Sequence, residues 1–169
     1  MQKYVLAFDG GTMAMELGRF ADLGYFSGPL HKMNGDDKWA LNLTRLPEGL
    51  RYQGALDQEL EATAFIQAGG SADCMTIEIR QPGGHEWGVE SVWSVVGHAS
   101  ADRQERDVPI KLPRSTQMIS EAEVFDADEA ADLFFQYYKT GQLPAGYALR
   151  PLQGWKADGT PVDLRGKIS

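Results

Sequence analysis

The side chains in this sequence with chemistry to offer are three histidines, one cysteine and many carboxylates. His31, His85 and His98 are scattered along the chain, and no second histidine or cysteine stands at i+2, i+3 or i+4 from any of them. That excludes the local zinc-binding spacings, and a single thiol, Cys74, cannot build a thiolate cluster. Cys74 opens an apparent strand, where a thiol is expected to be buried and structural. The carboxylate pairs Asp36-Asp37 and Glu59-x-Glu61 have no neighbours to complete an oxygen cage for a cation. Phe8-Asp9-Gly10-Gly11-Thr12 resembles the first phosphate-binding turn of the sugar-kinase and actin superfamily. No second phosphate or adenosine loop follows, so the segment reads as a tight turn after a strand. Gly69-Gly70-Ser71 lacks the lysine of a phosphate loop and reads as a turn as well. Gly-x-Ser-x-Gly does not occur. No catalytic residue, metal site or cofactor is expected from these patterns.

One group of acids is denser than chance pairs. Glu121, Glu123, Asp126, Asp128, Glu129 and Asp132 fall together with no lysine or arginine between them. Acids at a helix N-terminus complement the helix dipole, which accounts for Asp126, Asp128 and Glu129. Glu121 and Glu123 precede the helix and are less well explained. They read as part of an acidic docking patch for a basic partner, with Asp102 and Glu105 from a charged loop beside it.

The elements that must position these groups are set by periodicity. Lys3 to Phe8 reads as a first strand. Met13, Leu17 and Phe20 have helical spacing, so Met13 to Leu23 is expected to be a short helix. Tyr25 to Asp37 reads as loop, and Trp39 to Leu43 as a strand. Leu56 to Gln67 suits helix and strand equally. Met75 to Arg80 alternates strictly, with Met75, Ile77 and Ile79 on one face and Thr76, Glu78 and Arg80 on the other. Trp87 to Val96 completes an antiparallel hairpin with it, and Trp87 and Trp93 would share a face of a regular strand. Val108 to Leu112, with Pro109, reads as an edge strand that Gln117 to Ser120 can pair with. Ala127 to Thr140 is the best-defined helix. Asp126 is its N-cap, Glu129 completes a capping box, and Ala130, Leu133, Phe134, Tyr137 and Tyr138 form its apolar stripe. Gly141 provides a left-handed cap and Pro144 prevents continuation. A last strand is expected from Tyr147 to Leu149. The resulting fold class is α+β: one domain over residues 1–169, a mostly antiparallel sheet, and a C-terminal amphipathic helix packed on one face.

Bulk properties narrow the function classes. The formal net charge of −8 argues against binding a phosphate backbone. No run is long and apolar enough to cross a membrane, and the N-terminus lacks a signal-peptide pattern. A cytoplasmic location is the expectation, and the lone cysteine agrees with it.

From Glu123 the chain reads Glu123-Val124-Phe125-Asp126-Ala127-Asp128-Glu129-Ala130-Ala131-Asp132-Leu133-Phe134-Phe135-Gln136-Tyr137-Tyr138-Lys139-Thr140-Gly141-Gln142-Leu143-Pro144, then Tyr147-Ala148-Leu149-Arg150-Pro151-Leu152. This segment resembles the C-terminal part of actinobacterial immunity proteins that neutralise polymorphic toxins. In that group a Glu-Ala-containing helix runs into a Tyr/Phe-rich turn and a Thr-Gly-x-x-Pro stop. The Met75 to Arg80 hairpin is similar to their β-region. The resemblance implies a stoichiometric inhibitor, monomeric or weakly dimeric, that covers the active site of a basic protein toxin. Glu121, Glu123, Asp126, Asp128 and Glu129 would be its contacts, with Asp102 and Glu105. The other reading is a small-molecule enzyme or ligand-binding protein, with a pocket between sheet and helix lined by Trp87, Trp93 and a histidine.

Overall fold

A computed structural model describes residues 3–53, 64–99 and 105–167. Eight strands form one antiparallel sheet. In chain order they are β1 (Tyr4–Phe8), β2 (Met13–Leu17), β3 (Ala40–Arg45), β4 (Phe65–Ser71), β5 (Cys74–Pro82), β6 (Ser91–His98), β9 (Tyr147–Trp155) and β10 (Pro161–Asp163). Across the sheet the order is β10-β9-β6-β5-β4-β3-β1-β2. β7 (Val108–Lys111) and β8 (Thr116–Ile119) form a separate hairpin. Two helices, α1 (Gly24–His31) and α2 (Ala127–Thr140), cover one face of the sheet. The α+β class and the helix packed on the sheet are as the periodicity implies.

Alternation decides which face is dry. Leu41 and Leu43 of β3, Ile66 and Ala68 of β4, and Met75, Ile77 and Ile79 of β5 all belong to the core under the helices. Into it α2 places Ala130, Leu133, Phe134 and Tyr137. Asp126 caps α2 by accepting a hydrogen bond from Glu129 N at 2.9 Å, and Gly141 ends it at φ 74°. Burying such large side chains contributes roughly 1.5–3 kcal/mol each, and this core is the main source of stability.

Three local expectations give way to tertiary pairing. Met13 to Leu17 is a strand, because Met13, Met15 and Leu17 alternate as well as they fit a helix, and β1 pairs them Phe8↔Met13 to Tyr4↔Leu17. Helix α1 occupies part of the expected loop despite Gly28 and Pro29. It has no side-chain cap; Phe26 and Leu30, four apart and fully buried, hold it against α2. Gly69-Gly70-Ser71 lies within β4 and is not a turn. At Gly70, φ is 123° and a Cβ would sit 2.6 Å from Cys74 O and 2.9 Å from Ile110 Cγ2, so the hairpin approaches the sheet where only glycine fits. β9 runs on past Pro151, which faces Ser94 at a bulge where the ladder is already interrupted. Most of the ambiguous Leu56 to Gln67 stretch lies outside the described residues.

β5 and β6 pair only from Glu78↔Val95 to Pro82↔Ser91. Towards Cys74 the chain leading into α2 takes the place of β6. Phe125 and Met75 exchange two backbone hydrogen bonds of 3.0 Å. The His98 ring stacks on Phe125 with centroids 4.6 Å apart.

Candidate functional site

The acidic cluster is largely consumed by the fold. Glu123 is buried, so its place in a docking patch is corrected: it is a structural anchor. Its carboxylate takes a two-pronged ion pair from Arg150, with Nε to Oε2 at 2.7 Å and the second nitrogen to Oε1 at 3.0 Å. Oε1 also accepts from Ser120 N at 3.0 Å, and the carboxylate lies against Gly97, where a Cβ would meet its Cγ at 3.1 Å. Burial pushes the Glu123 pKa up, but the bonds from Arg150 and Ser120 outweigh it and hold the group below the usual carboxylate range. Asp126 caps α2. Asp128 accepts from His31 Nε2 at 2.8 Å. Glu129 accepts from His98 Nε2 at 2.8 Å and from the Tyr147 hydroxyl at 2.8 Å. Burial first and the Glu129 carboxylate second push the Tyr147 phenol up to about 12. Glu105, Glu121, Asp126, Asp128 and Asp132 remain exposed. Asp102 lies outside the described residues.

Both paired histidines have carboxylates on Nε2 and carbonyl oxygens on Nδ1: Ser27 O at 2.7 Å for His31, Ala122 O at 2.8 Å for His98. A neutral ring can satisfy only one of two acceptors, so these environments favour the imidazolium. The backbone bond to Ser27 and then the bond to Asp128 raise the His31 pKa. For His98, burial lowers the pKa, and the bonds to Glu129 and Ala122 more than reverse it. His31 joins the end of α1 to the start of α2, and His98 joins β6 to α2. His85 is exposed in the 3-10 turn His85–Trp87, at the opposite end of β6 from His98, so the two do not meet.

The other sequence candidates are structural. Asp9, at φ 49° in the β1–β2 turn, accepts from Trp39 N at 2.8 Å and Ala40 N at 3.2 Å and so anchors the start of β3. Cys74 is partly buried, and burial pushes its thiol pKa up, away from reactivity. Trp87 packs on Val89, Val92 and Leu164, whereas Trp93 meets Phe65 and Trp155, so the two do not share a face. The sheet–helix interface is filled by core side chains, and neither tryptophan lies in it. Among the described residues no group of three or more His, Cys, Asp or Glu converges on a possible metal position. No helix of the described residues is long and apolar enough to cross a membrane.

Besides an open hollow beside Trp93 and Val162 at the β9–β10 edge, two concave features stand out among the described residues. The first is a cleft of about 410 Å³ on the face of the sheet away from the helices, beside the β7–β8 hairpin. Its floor is made by small residues, Ala7, Ala40 and Gly69, and its walls by Trp39, Leu112 and Gln117. The register lines up Asn42, Gln67 and Glu78 across β3, β4 and β5. Hydrogen bonds run along that row from Asn42 Nδ2 to Gln67 Oε1 (3.2 Å) and from Gln67 Nε2 to Glu78 Oε1 (2.8 Å). Gln117 Nε2 donates to Glu78 Oε2 from the hairpin (3.2 Å). Glu78 is only 8% exposed, and burial raises its pKa against the opposing pull of Gln67, Gln117, Arg150 and Trp93. Beside it the Thr76 hydroxyl is buried without a hydrogen-bond partner. The alternation of Met75 to Arg80 announced the faces of these residues; the hairpin that walls the cleft is a long-range contact with no local signal.

The second feature is a groove of about 500 Å³ lined by Met13, Met15, Tyr25 and Pro29 between β2 and α1. Of the six large apolar side chains exposed among the described residues, five lie between Met13 and Tyr25, and Phe20 is 87% exposed.

No family model, no curated protein and no solved structure matches this chain.

Proposed function

We propose that this chain is an immunity-type protein that binds a basic protein toxin and covers its active site. The observation that carries the reading is the run of exposed Met13, Met15, Phe20, Leu23 and Tyr25 along one stretch of the chain, with Met13, Met15 and Tyr25 lining one groove. Apolar side chains gathered in this way are a feature of protein-binding surfaces. α1 runs from this stretch to the His31–Asp128 pair at the start of α2, where Asp126, Asp128 and Asp132 are exposed. A partner with an apolar anchor and a basic flank fits that arrangement, and the acids would speed its approach. The resemblance of the Glu123 to Leu152 segment to immunity proteins supports the same reading.

The test has two stages. Tagged protein is used to capture partners from its native cells at low and moderate salt, and the captured protein is then expressed alone in a naive host. The expected result is one basic protein retained at equal stoichiometry, which arrests growth alone and is relieved by co-expression of this chain. Tyr25→Ala with Met15→Lys should abolish capture at both salts, whereas Asp128→Lys with Asp132→Lys should weaken it chiefly at low salt. A harmless captured protein, or capture indifferent to all four substitutions, would overturn the reading.

A further inference from the structure

The sheet ends differently at its two edges. β10 is three residues long and contains Pro161 and Asp163, both of which discourage the addition of another strand. β2 is five residues long and has neither proline nor bulge, and among the described residues it pairs only with β1. The direction of its backbone follows from β1. Asp9 N donates to Ala40 O and Leu46 N to Lys3 O, so the odd-numbered residues at this edge of β1 aim their backbone groups at β3. The alternate residues Tyr4, Leu6 and Phe8 therefore aim theirs at β2, where their register partners are Leu17, Met15 and Met13. Ala14 and Glu16 are left with N–H and C=O groups directed out of the sheet. A charged side chain can guard such an edge, but the Glu16 carboxylate is taken up by Lys3 Nζ at 3.8 Å, Arg51 Nε at 3.6 Å and Tyr52 N at 3.2 Å. On the helix side of the same ledge Met13 and Met15 are 60% and 40% exposed and line the groove with Tyr25 and Pro29.

The sequence of β2 is complementary to itself. Two copies laid antiparallel about a two-fold axis at Met15 set each Ala14 opposite the other strand's Glu16, so the outward groups of both strands exchange backbone hydrogen bonds on either side of the axis. On the helix side Met15 meets Met15 and Met13 meets Leu17, an apolar row that covers the exposed methionines. Centring the pair on Glu16 would oppose two carboxylates, and centring it on Ala14 would set Glu16 beyond the end of the other strand. Such self-complementarity is what a two-fold contact requires. The net charge of −8 on each copy opposes the contact only weakly, because charges more than about 8 Å apart are screened at physiological salt.

We propose that two copies of this chain associate through β2, joining their sheets edge to edge in the register centred on Met15. The contact borders the surface assigned above to a toxin, so self-association and capture of that partner would exclude one another. The test uses the purified chain alone, so its failure is distinguishable from failure of the inhibitor reading.

Sedimentation equilibrium of the full chain is expected to show the mass rising from one chain to two between low- and high-micromolar concentration. Ala14→Pro removes an outward N–H and no bond to β1. Met15→Lys, at an exposed side chain, sets like charges opposite each other and keeps the test intact if the proline variant does not fold. Each should leave the protein monomeric with an unchanged circular dichroism spectrum. Register is read by cysteine cross-linking in a Cys74→Ser background. Met15→Cys should form an intermolecular disulfide under mild oxidation, since directly opposed Cβ atoms lie about 4.5–5.5 Å apart. Met13→Cys, opposite Leu17, should not. A monomer throughout the concentration range, a folded Ala14→Pro or Met15→Lys variant that still dimerises, or Met13→Cys cross-linking as readily as Met15→Cys would each overturn the proposal.

Discussion

The two faces of the sheet are built to opposite rules. Under α1 and α2 the positions Leu41, Leu43, Ile66, Ile77 and Ile79 are aliphatic and fully or almost fully buried. One residue away on the same strands stand Asn42, Thr44, Gln67, Thr76 and Glu78. The first face is a dry core in which large side chains fill all the space. The second is a polar row, held by side-chain amides and partly roofed by a hairpin, in which one hydroxyl is left without a partner. Stability is concentrated on the helix side, and the other side is tied together by side-chain hydrogen bonds across the strands.

The sharpest way to break this contrast is to cut each face once. Phe134→Ala, which removes a fully buried ring packed on Phe26, should cost about 3–5 kcal/mol in chemical denaturation. Thr76→Val on the opposite face removes an unpartnered hydroxyl at constant shape and should cost less than about 1 kcal/mol or stabilise slightly. Equal losses would mean that the polar face is also a load-sharing core and would remove the distinction.

Glu123 sharpens the boundary between the faces, since its ion pair with Arg150 ties the segment entering α2 to β9. Glu123→Gln is expected to lose about 1–3 kcal/mol at neutral pH, because Arg150 keeps its charge in a half-buried position. The folded pKa of Glu123 is lowered, so its contribution is present above the unfolded value near 4.5 and is lost as pH falls through the folded one. Stability of the variant should therefore fall less steeply with acid than that of the parent; parallel acid-unfolding curves would refute the assignment.

The smallest effect belongs to the histidines. Both folded pKa values are raised, so the stabilisation from His31 and His98 is complete below the unfolded value of 6.5 and is lost as pH rises through the folded values. Both side chains are well exposed, 50% and 41%, so the combined effect should stay near or below about 1 kcal/mol. A His31→Gln, His98→Gln double variant should show a flatter melting temperature between pH 6 and pH 8 in scanning calorimetry, the range around an ordinary histidine.

Much of the fold was legible because strand alternation and helix capping are local. Met75 to Arg80 showed both faces of β5, and Asp126 to Gly141 marked α2 at both ends. Met13 to Leu17 was not legible, since methionines and leucine at i, i+2 and i+4 also satisfy a helical spacing at i and i+4, and only pairing with β1 decides. α1 was hidden by Gly28 and Pro29, whose low propensity is overridden by burial of Phe26 and Leu30. At the candidate sites the sequence showed charge but not its use. Glu123 and Glu129 looked available because Arg150, His98 and Tyr147, which occupy them, arrive from distant strands. The cleft was invisible for the same reason, with Gln117 reaching Glu78 from 39 positions away.

The insertion of Phe125 beside Met75 also orders events during synthesis. β3 to β6 form a meander whose neighbours lie close in sequence, so they can pair early on the ribosome. β5 and β6 nevertheless cannot be joined along their whole length, because the gap between them belongs to a segment translated later. Until β9 emerges, the outer edge of β6 has no strand beside it, and its unpaired backbone can recruit another nascent chain. Translation of β9 is thus the step that closes this window.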